Sequence, residues 1–478
     1  MIGTVNQAMA LAPELILCVG ILAVFITSLG ESLYSKARKA ALAAAILALL
    51  AAAATLSENS TLFFGTYQVN LFSQLFKLMT LFGLCATLLC GWEFKDIREN
   101  ARSEYLFFLL TGTLGLLVLV SSIELITLVV ALELTSFSIY LLVPLRDEKH
   151  GLRIQMESAI KYVLFGLMST GIMLWGMSYL FGITGTTDLP EMVVRLKPLL
   201  HNPFAVIGIA LSLAGVFFKL AIFPFHFWIP DIYEGSSNET AAIISTVPKV
   251  GGMAVFIRFA LLILPEEKSL IDLLVILSVC SMFYGNLAAL VQKDAKRMLG
   301  YSSIAHAGYL MIGIITLGEK GFALSIFYMA GFLIMYLACF LVICKVSPRG
   351  ENLSIDDFSG LHKRSPLLAL TLGTGMFALA GIPPFVGFMS KFLLLTSAWE
   401  DGFRAIVIIA ALNTAVSLYY YLSVVRIAYT GHPGEGEPVT LDWATKILSI
   451  LLIVLMVLLG IAPTSLIDMA YLSVLGLR

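Results

Sequence analysis

An all-α, polytopic membrane fold of about fourteen transmembrane helices is what the sequence predicts, and three observations predict it. Of 478 residues, 59% are hydrophobic and only 13% charged, whereas a soluble domain carries about 25% charged residues. Apolar runs of about 20 residues recur along the whole chain, each long enough at 1.5 Å per residue to cross a hydrocarbon core about 30 Å thick. The connections between them are mostly short, so the expectation is a single transmembrane domain over 1–478 with no soluble module.

Taken in order, the predicted spans are 11–30, 40–56, 71–92, 105–121, 123–143, 157–181, 204–229, 239–264, 270–291, 298–317, 322–345, 366–396, 404–429 and 446–466. The first has no charged leader or A-x-A site around it and is long enough to span, so it reads as a retained helix rather than a signal peptide. An even count puts both termini on one side. Of the 30 Lys and Arg residues, 18 fall in connections on one side, among them Lys36, Lys95, Arg146, Lys149, Arg153, Lys296 and Lys345, and 6 on the other, including Arg478. The positive-inside bias then places both termini in the periplasm, with odd-numbered spans running inward.

Composition also excludes. A net charge of -1 gives no electrostatic case for nucleic acid. All six cysteines (Cys18, Cys85, Cys90, Cys280, Cys339, Cys344) lie in apolar runs without CxxC or Cys/His spacing, which argues against a disulfide framework, a zinc site or an iron–sulfur cluster. No GxGxxG motif, P-loop or paired intramembrane histidines occur, so no nucleotide, flavin, haem or metal site is expected in this chain.

Spans 7 and 12 read as broken. Span 7 contains LAGVFFKLAIFPFHFWIPD with Pro224 mid-span, and span 12 contains LAGIPPFVGFMSKF with Pro383 and Pro384 mid-span. A proline inside a helix removes a backbone hydrogen bond, which a membrane tolerates where the freed carbonyls meet water or other helices. The two spans are five apart and so run in opposite directions, as inverted repeats require. The predicted repeats are helices 4–8 (105–264) and 9–13 (270–429), after three N-terminal helices (1–104) and before a C-terminal helix 14 (446–478).

Charges at membrane depth carry the functional argument, because each costs about 2.5–3.5 kcal/mol or more at the bilayer centre. Lys77 and Arg258 lie within about two turns of a helix end and Lys161 about one turn, so all three can snorkel to the interface. Glu133, Lys219 and Lys249 have roughly ten residues on either side and cannot. His306 is similarly central, and Lys391 lies seven residues past the span 12 break. A Glu133–Lys219 pair could simply lock two helices. The same chemistry also makes a switch: burial disfavours a charged lysine and a nearby carboxylate favours it, so a moving partner drives proton uptake and release. A neutral imidazole can both accept and donate, extending such a chain.

The stretches ALELTSFSIYLLV, ESAIKYVLFG, FFKLAIFPFHFWIPDIYEGS, VPKVGG, NLAALVQKDAKRMLGYSSIAHAGY and ALAGIPPFVGFMSKF resemble the antiporter-like proton-pumping subunits of respiratory complex I, over about residues 100–430. The resemblance implies proton transfer through Glu133, its helix 7 partner Lys219, Lys249 linking two half-channels, and Lys391 facing the outlet. It also assigns a proton-transfer role to Lys161, against snorkelling. Span 11 has no mid-span ionisable residue, so between Lys249 and Lys391 only His306 is expected, with bound water carrying the rest. The resemblance further implies a bacterial inner membrane location and sister and quinone-site subunits as partners, with flavin and iron–sulfur clusters held by those partners. A longer sister's lateral amphipathic helix is not expected, since only a few residues follow span 14. Two alternatives share the motifs: a subunit of a multisubunit cation/proton antiporter, and one of an energy-converting hydrogenase-type complex.

Overall fold

The structure, a computed structural model, describes residues 9–29, 34–91, 94–147, 154–199, 202–431 and 438–477. Lys149, Arg153 and Arg478 of the charge count, and the expected span ends at 30 and 92, lie outside the described residues. Each predicted span is occupied by a helix. They are α1 (Ala12–Ser28), α2 (Tyr34–Ala54), α3 (Leu71–Cys90), α4 (Arg102–Ser121), α5 (Leu125–Leu142), α6 (Ile154–Thr184), α7a (Pro203–Leu220) with α7b (Trp228–Gly235), α8 (Asn238–Ala260), α9 (Lys268–Ala289), α10 (Ala295–Ile315), α11 (Glu319–Val346), α12a (Pro366–Ala380) with α12b (Val386–Glu400), α13 (Arg404–Thr430) and α14 (Trp443–Ile461). Twelve of these helices are individually long and apolar enough to cross a membrane, which makes the chain a multi-pass membrane protein.

Local chemistry starts the helices where the sequence allows it. Asn70 and Ser73 form a reciprocal capping box at the head of α3, with Ser73 N–H donating to Asn70 Oδ1 at 2.9 Å. Glu124, Ser237 and Asp294 cap α5, α8 and α10 by accepting from backbone N–H groups. One expectation fails at the C-terminal end. A further helix, α15 (Thr464–Leu475), follows α14 and packs on α11 and α3. Its apolar residues Ala470 and Val474 reach the core, which is why the chain turns back after Pro463 instead of trailing off.

The centre of the bundle is α8 with α11. All residues of α8 are buried, enclosed by α3, α4, α7a and α11. In contrast α1, α6, α13 and α14 turn apolar side chains such as Leu22, Trp175, Tyr419 and Ile450 outward, as lipid-facing helices do. This layering overturns the snorkelling of Lys77 and Arg258. Lys77 is fully buried and pairs with Glu14 of α1 at 2.7 Å, while Tyr67 from the short β1–β2 hairpin (Ser60–Leu62, Tyr67–Val69) donates its hydroxyl to the same carboxylate at 2.8 Å. Arg258 does point to its expected end, but stops inside the protein, donating to the Val120 carbonyl at 2.9 Å with its guanidinium 5.4 Å from the Phe72 ring centre. Snorkelling needs an open path, and neither side chain has one: Lys77 is fully buried and Arg258 is 4% exposed.

Removing one member of a buried ion pair leaves an uncompensated charge and costs about 3–5 kcal/mol, whereas removing both is far milder. We therefore expect Lys77→Met to reduce the assembled, thermally stable protein sharply and Glu14→Gln/Lys77→Met to restore most of it. Native gel yield and melting temperature from membranes check this; a silent Lys77→Met would contradict the pairing.

Candidate functional site

The two helix breaks are built alike. α7a ends at Ala221, which takes a left-handed conformation (φ 61), and α12a ends at Gly381 (φ 82). Each is followed by a cis X–Pro bond, Phe223–Pro224 and Pro383–Pro384. A broken helix leaves carbonyls without donors, and the two breaks satisfy them differently. At the first, Trp228 of α7b, stacked on Tyr162 of α6 with ring centres 4.6 Å apart, donates its indole N–H to the Phe218 carbonyl at 3.1 Å. At the second, the Lys391 ammonium of α12b donates to the Leu379 carbonyl at 2.9 Å. Gly381 suits this turn because its φ of 82 strains other residues, and a Cβ there would also crowd Lys391 Cδ at 3.3 Å.

Lys219 sits two residues before the first break, buried, and its Nζ has no hydrogen-bond partner. Glu133 of α5 is the charged group that acts on it, yet no salt bridge within 4.0 Å closes between them among the described residues. Instead the Glu133 carboxylate, half-buried, accepts from the Thr170 hydroxyl of α6 at 2.8 Å. The pair is thus open, with the acid held on one neighbour and the amine held by none.

Lys249 lies deep in α8 and donates to the Ser303 hydroxyl of α10, its ammonium 5.6 Å from the Phe332 ring centre. His306, one turn along α10, is clamped between two tyrosines: Nδ1 is hydrogen-bonded to the Tyr328 hydroxyl at 2.7 Å and Nε2 to the Tyr421 hydroxyl at 3.1 Å. Tyr421 also bonds the Ser302 hydroxyl, which contacts Tyr336 at 2.8 Å. Lys391 then lies 4.9 Å from the ring centre of Tyr309, whose hydroxyl reaches Thr414 at 2.9 Å.

Lys161 is placed apart from this buried row. It bridges Glu157 and Asp231, both at 2.7 Å, and its side chain is 38% exposed. Asp231 in turn pairs with Arg297 at 2.9 Å and Arg297 with Glu234 at 2.6 Å, so Lys161 belongs to an ion-pair cluster on α6, α7b and α10. Of the six residues expected to act together, Lys249, His306 and Lys391 lie in one buried stretch, each against its own hydroxyl or ring partners, Glu133 and Lys219 form no salt bridge, and Lys161 joins its own network. Among the described residues, no group of three or more His, Cys, Asp or Glu side chains could hold a metal ion.

The sequence reading missed the hydroxyls. Ser302, Ser303, Tyr309, Tyr328, Tyr336 and Tyr421 surround His306 in the region between Lys249 and Lys391, where bound water was expected to carry the rest of the path. Their signal was available: Ser302 and Ser303 precede His306 by four and three residues, hence share its helix face, and tyrosines inside apolar runs need a buried partner for each hydroxyl.

Residues 122–417 match the family model described as NADH:quinone oxidoreductase/Mrp antiporter, transmembrane. The chain belongs to that family. A protein of Opitutus terrae called NADH-quinone oxidoreductase subunit N 2 is 51% identical, over 95% of each chain, and this level of likeness places the chain in the subunit N group. Among solved structures, one chain of respiratory complex I from Thermus thermophilus is 29% identical with a TM-score of 0.83, covering 95% of this chain and 98% of that one. A chain of the Mrp complex from Dietzia sp. DQ12-45-1b has a TM-score of 0.86 at 20% identity, over 99% and 98%, a likeness of fold alone.

Trp228→Phe keeps the ring stack and removes the donor to the Phe218 carbonyl. That carbonyl keeps the Ala221 N–H at 3.1 Å, so the loss is one hydrogen bond, expected to cost about 0.5–1.5 kcal/mol and read as a lowered melting temperature of the purified assembly; an unchanged melting temperature would show that the indole bond does not hold the break.

Proposed function

We propose that this subunit N carries protons across a bacterial inner membrane within an NADH-quinone oxidoreductase, driven by partner subunits that hold the redox cofactors. The observation that carries the reading is the Lys219 amine: buried beside a helix break, unbonded, with Glu133 close enough to act on it and tied to Thr170 instead. Closing a Glu–Lys pair to about 4 Å at an effective dielectric constant of about 20 is worth ~4 kcal/mol. That is roughly a thousandfold in a protonation equilibrium, enough to load or unload the amine by moving one side chain.

From Lys219 the proposed order runs through Lys249, Ser303 and the Ser302–Tyr421–His306 group to Lys391, whose place on the Leu379 carbonyl marks the outlet half. A hydroxyl or imidazole between two partners can give one proton and take another without holding net charge. We read helices 4–8 and 9–13 as inverted repeats, supported by the matched breaks after Leu220 and Ala380, and both termini as periplasmic, supported by the lysine and arginine bias of the connections. Lys161 serves this scheme through Asp231, as the charge that couples α6 to α7b. The chain itself binds no redox group in this reading; sister membrane subunits and quinone-site subunits are its partners. A cation/proton antiporter subunit is disfavoured because the relatives with high identity are subunit N proteins.

Lys219→Ala and Glu133→Ala are each expected to leave assembly intact while lowering proton pumping and coupled quinone reduction by roughly tenfold or more, the scale of losing a positioned acid–base group. Tyr421→Phe should lower pumping less, since it cuts one link to His306. Dye quenching in sealed vesicles, normalised to NADH oxidation, measures all three; wild-type pumping by an assembled Lys219→Ala protein would overturn the relay.

A further inference from the structure

A cavity of about 620 Å³ opens on the end of the bundle where the Lys- and Arg-rich connections lie, between the ends of α3 and α11 and the segment 438–442 that leads into α14. Its walls include Gly91, Lys345, Thr440 and Asp442, and at its base stands Glu239, the second residue of α8. Glu239 is 5% exposed, and its Oε2 has no hydrogen-bond partner. Gly91 makes the space for it, because a Cβ there would stand 2.2 Å from Glu239 Cγ. Lys345 is paired with Asp442 at 3.5 Å, so that cation is already countered by the opposite wall. Lys95 and Arg364 also line the cavity, and Asp96, Lys296 and Lys345 act on the carboxylate through space.

A buried carboxylate without a full set of partners is costly in its charged form, although the head of a helix offsets part of that by favouring negative charge there. Both forms are therefore within reach, which suits a group that changes protonation. Lys249 stands ten residues further along the same helix, about 15 Å at 1.5 Å per residue. Thr246 falls on the same face as Glu239, two turns on. The Tyr233 hydroxyl, buried and unbonded, lies beside the Ser245 and Ser303 hydroxyls, and Ser303 accepts from Lys249.

We propose that Glu239 is the cytoplasmic-side loading group of this subunit: a proton from the cavity binds the carboxylate, then leaves it for the Lys249 amine past the Tyr233 and Ser303 hydroxyls. Each hydroxyl gives one proton and takes one, so charge and atoms balance along the row. The proposal rests on Lys249 belonging to the relay, and adds where that relay is filled.

The test uses the intact complex in vesicles with the cytoplasmic face outward, measuring protons taken up per NADH oxidised for Glu239→Gln, Glu239→Asp and Lys249→Ala. Glu239→Gln, which keeps size and hydrogen-bonding capacity, is expected to lose pumping severalfold, and Glu239→Asp to recover most of it. An assembled Glu239→Gln complex with wild-type stoichiometry, while Lys249→Ala has lost it, overturns the loading role and leaves the relay standing. Wild-type stoichiometry in both overturns the relay itself. Should Glu239→Gln not assemble, Thr440→Cys at the exposed cavity mouth is labelled with a bulky, membrane-impermeant maleimide. Labelling is expected to slow pumping relative to treated wild type, and complete labelling without effect overturns the proposal.

Discussion

A charged side chain or a freed backbone carbonyl at membrane depth costs several kcal/mol unless something inside the protein answers it, and the architecture of this chain follows from that cost. Lys77 is answered by Glu14 and Tyr67, and Arg258 by the Val120 carbonyl and the Phe72 ring. The break in α7 is answered by the Trp228 indole and the break in α12 by Lys391. The Lys219 amine and the Glu239 carboxylate oxygen are without a hydrogen bond and differ in their surroundings, the first beside a helix break and the second at the base of a cavity. Structure accounts for the first set; transport is the natural reading of the second.

The two halves of the bundle use the same break for different ends. At the first, the carbonyl is closed by a neutral donor, and the nearby lysine is left to an acid on another helix. At the second, the lysine itself closes the carbonyl, so its charge is fixed to the break. Between them, His306 is held at both ring nitrogens by tyrosines from α11 and α13, which fixes the ring's orientation while leaving the proton's position to the tautomer. A hydroxyl-lined row of this kind can pass protons without carrying a net charge through low-dielectric protein, where an uncompensated ion would be costly.

Much of this was legible in the sequence. Apolar run length placed the fourteen spans, the mid-span prolines placed both breaks, and depth from the helix ends singled out Glu133, Lys219, Lys249, His306 and Lys391. What depth along a helix cannot tell is what lies beside it. Lys77 and Arg258 sit near helix ends, as read, but each lies on a face packed inside the bundle, so neither side chain reaches the interface. Glu14 was overlooked because a single acid near the head of α1 looks like a helix-end residue until α3 brings Lys77 against it. Tyrosines and serines inside apolar runs carry no charge to mark them, and their roles depend on which helices meet. The helix α15 was missed because Pro463 breaks the hydropathy of the last run.

The central claim is that the buried amines of this chain move protons rather than hold helices together, and Lys249→Met tests it most directly, since methionine keeps the unbranched apolar stem, one atom shorter, while removing the exchangeable proton. In purified complex reconstituted in liposomes, the ratio of protons translocated to NADH oxidised should fall, with the melting temperature unchanged and Ser303 the one group left without its donor. An unchanged ratio in a fully assembled, stable complex would contradict the account and return Lys249 to a packing role.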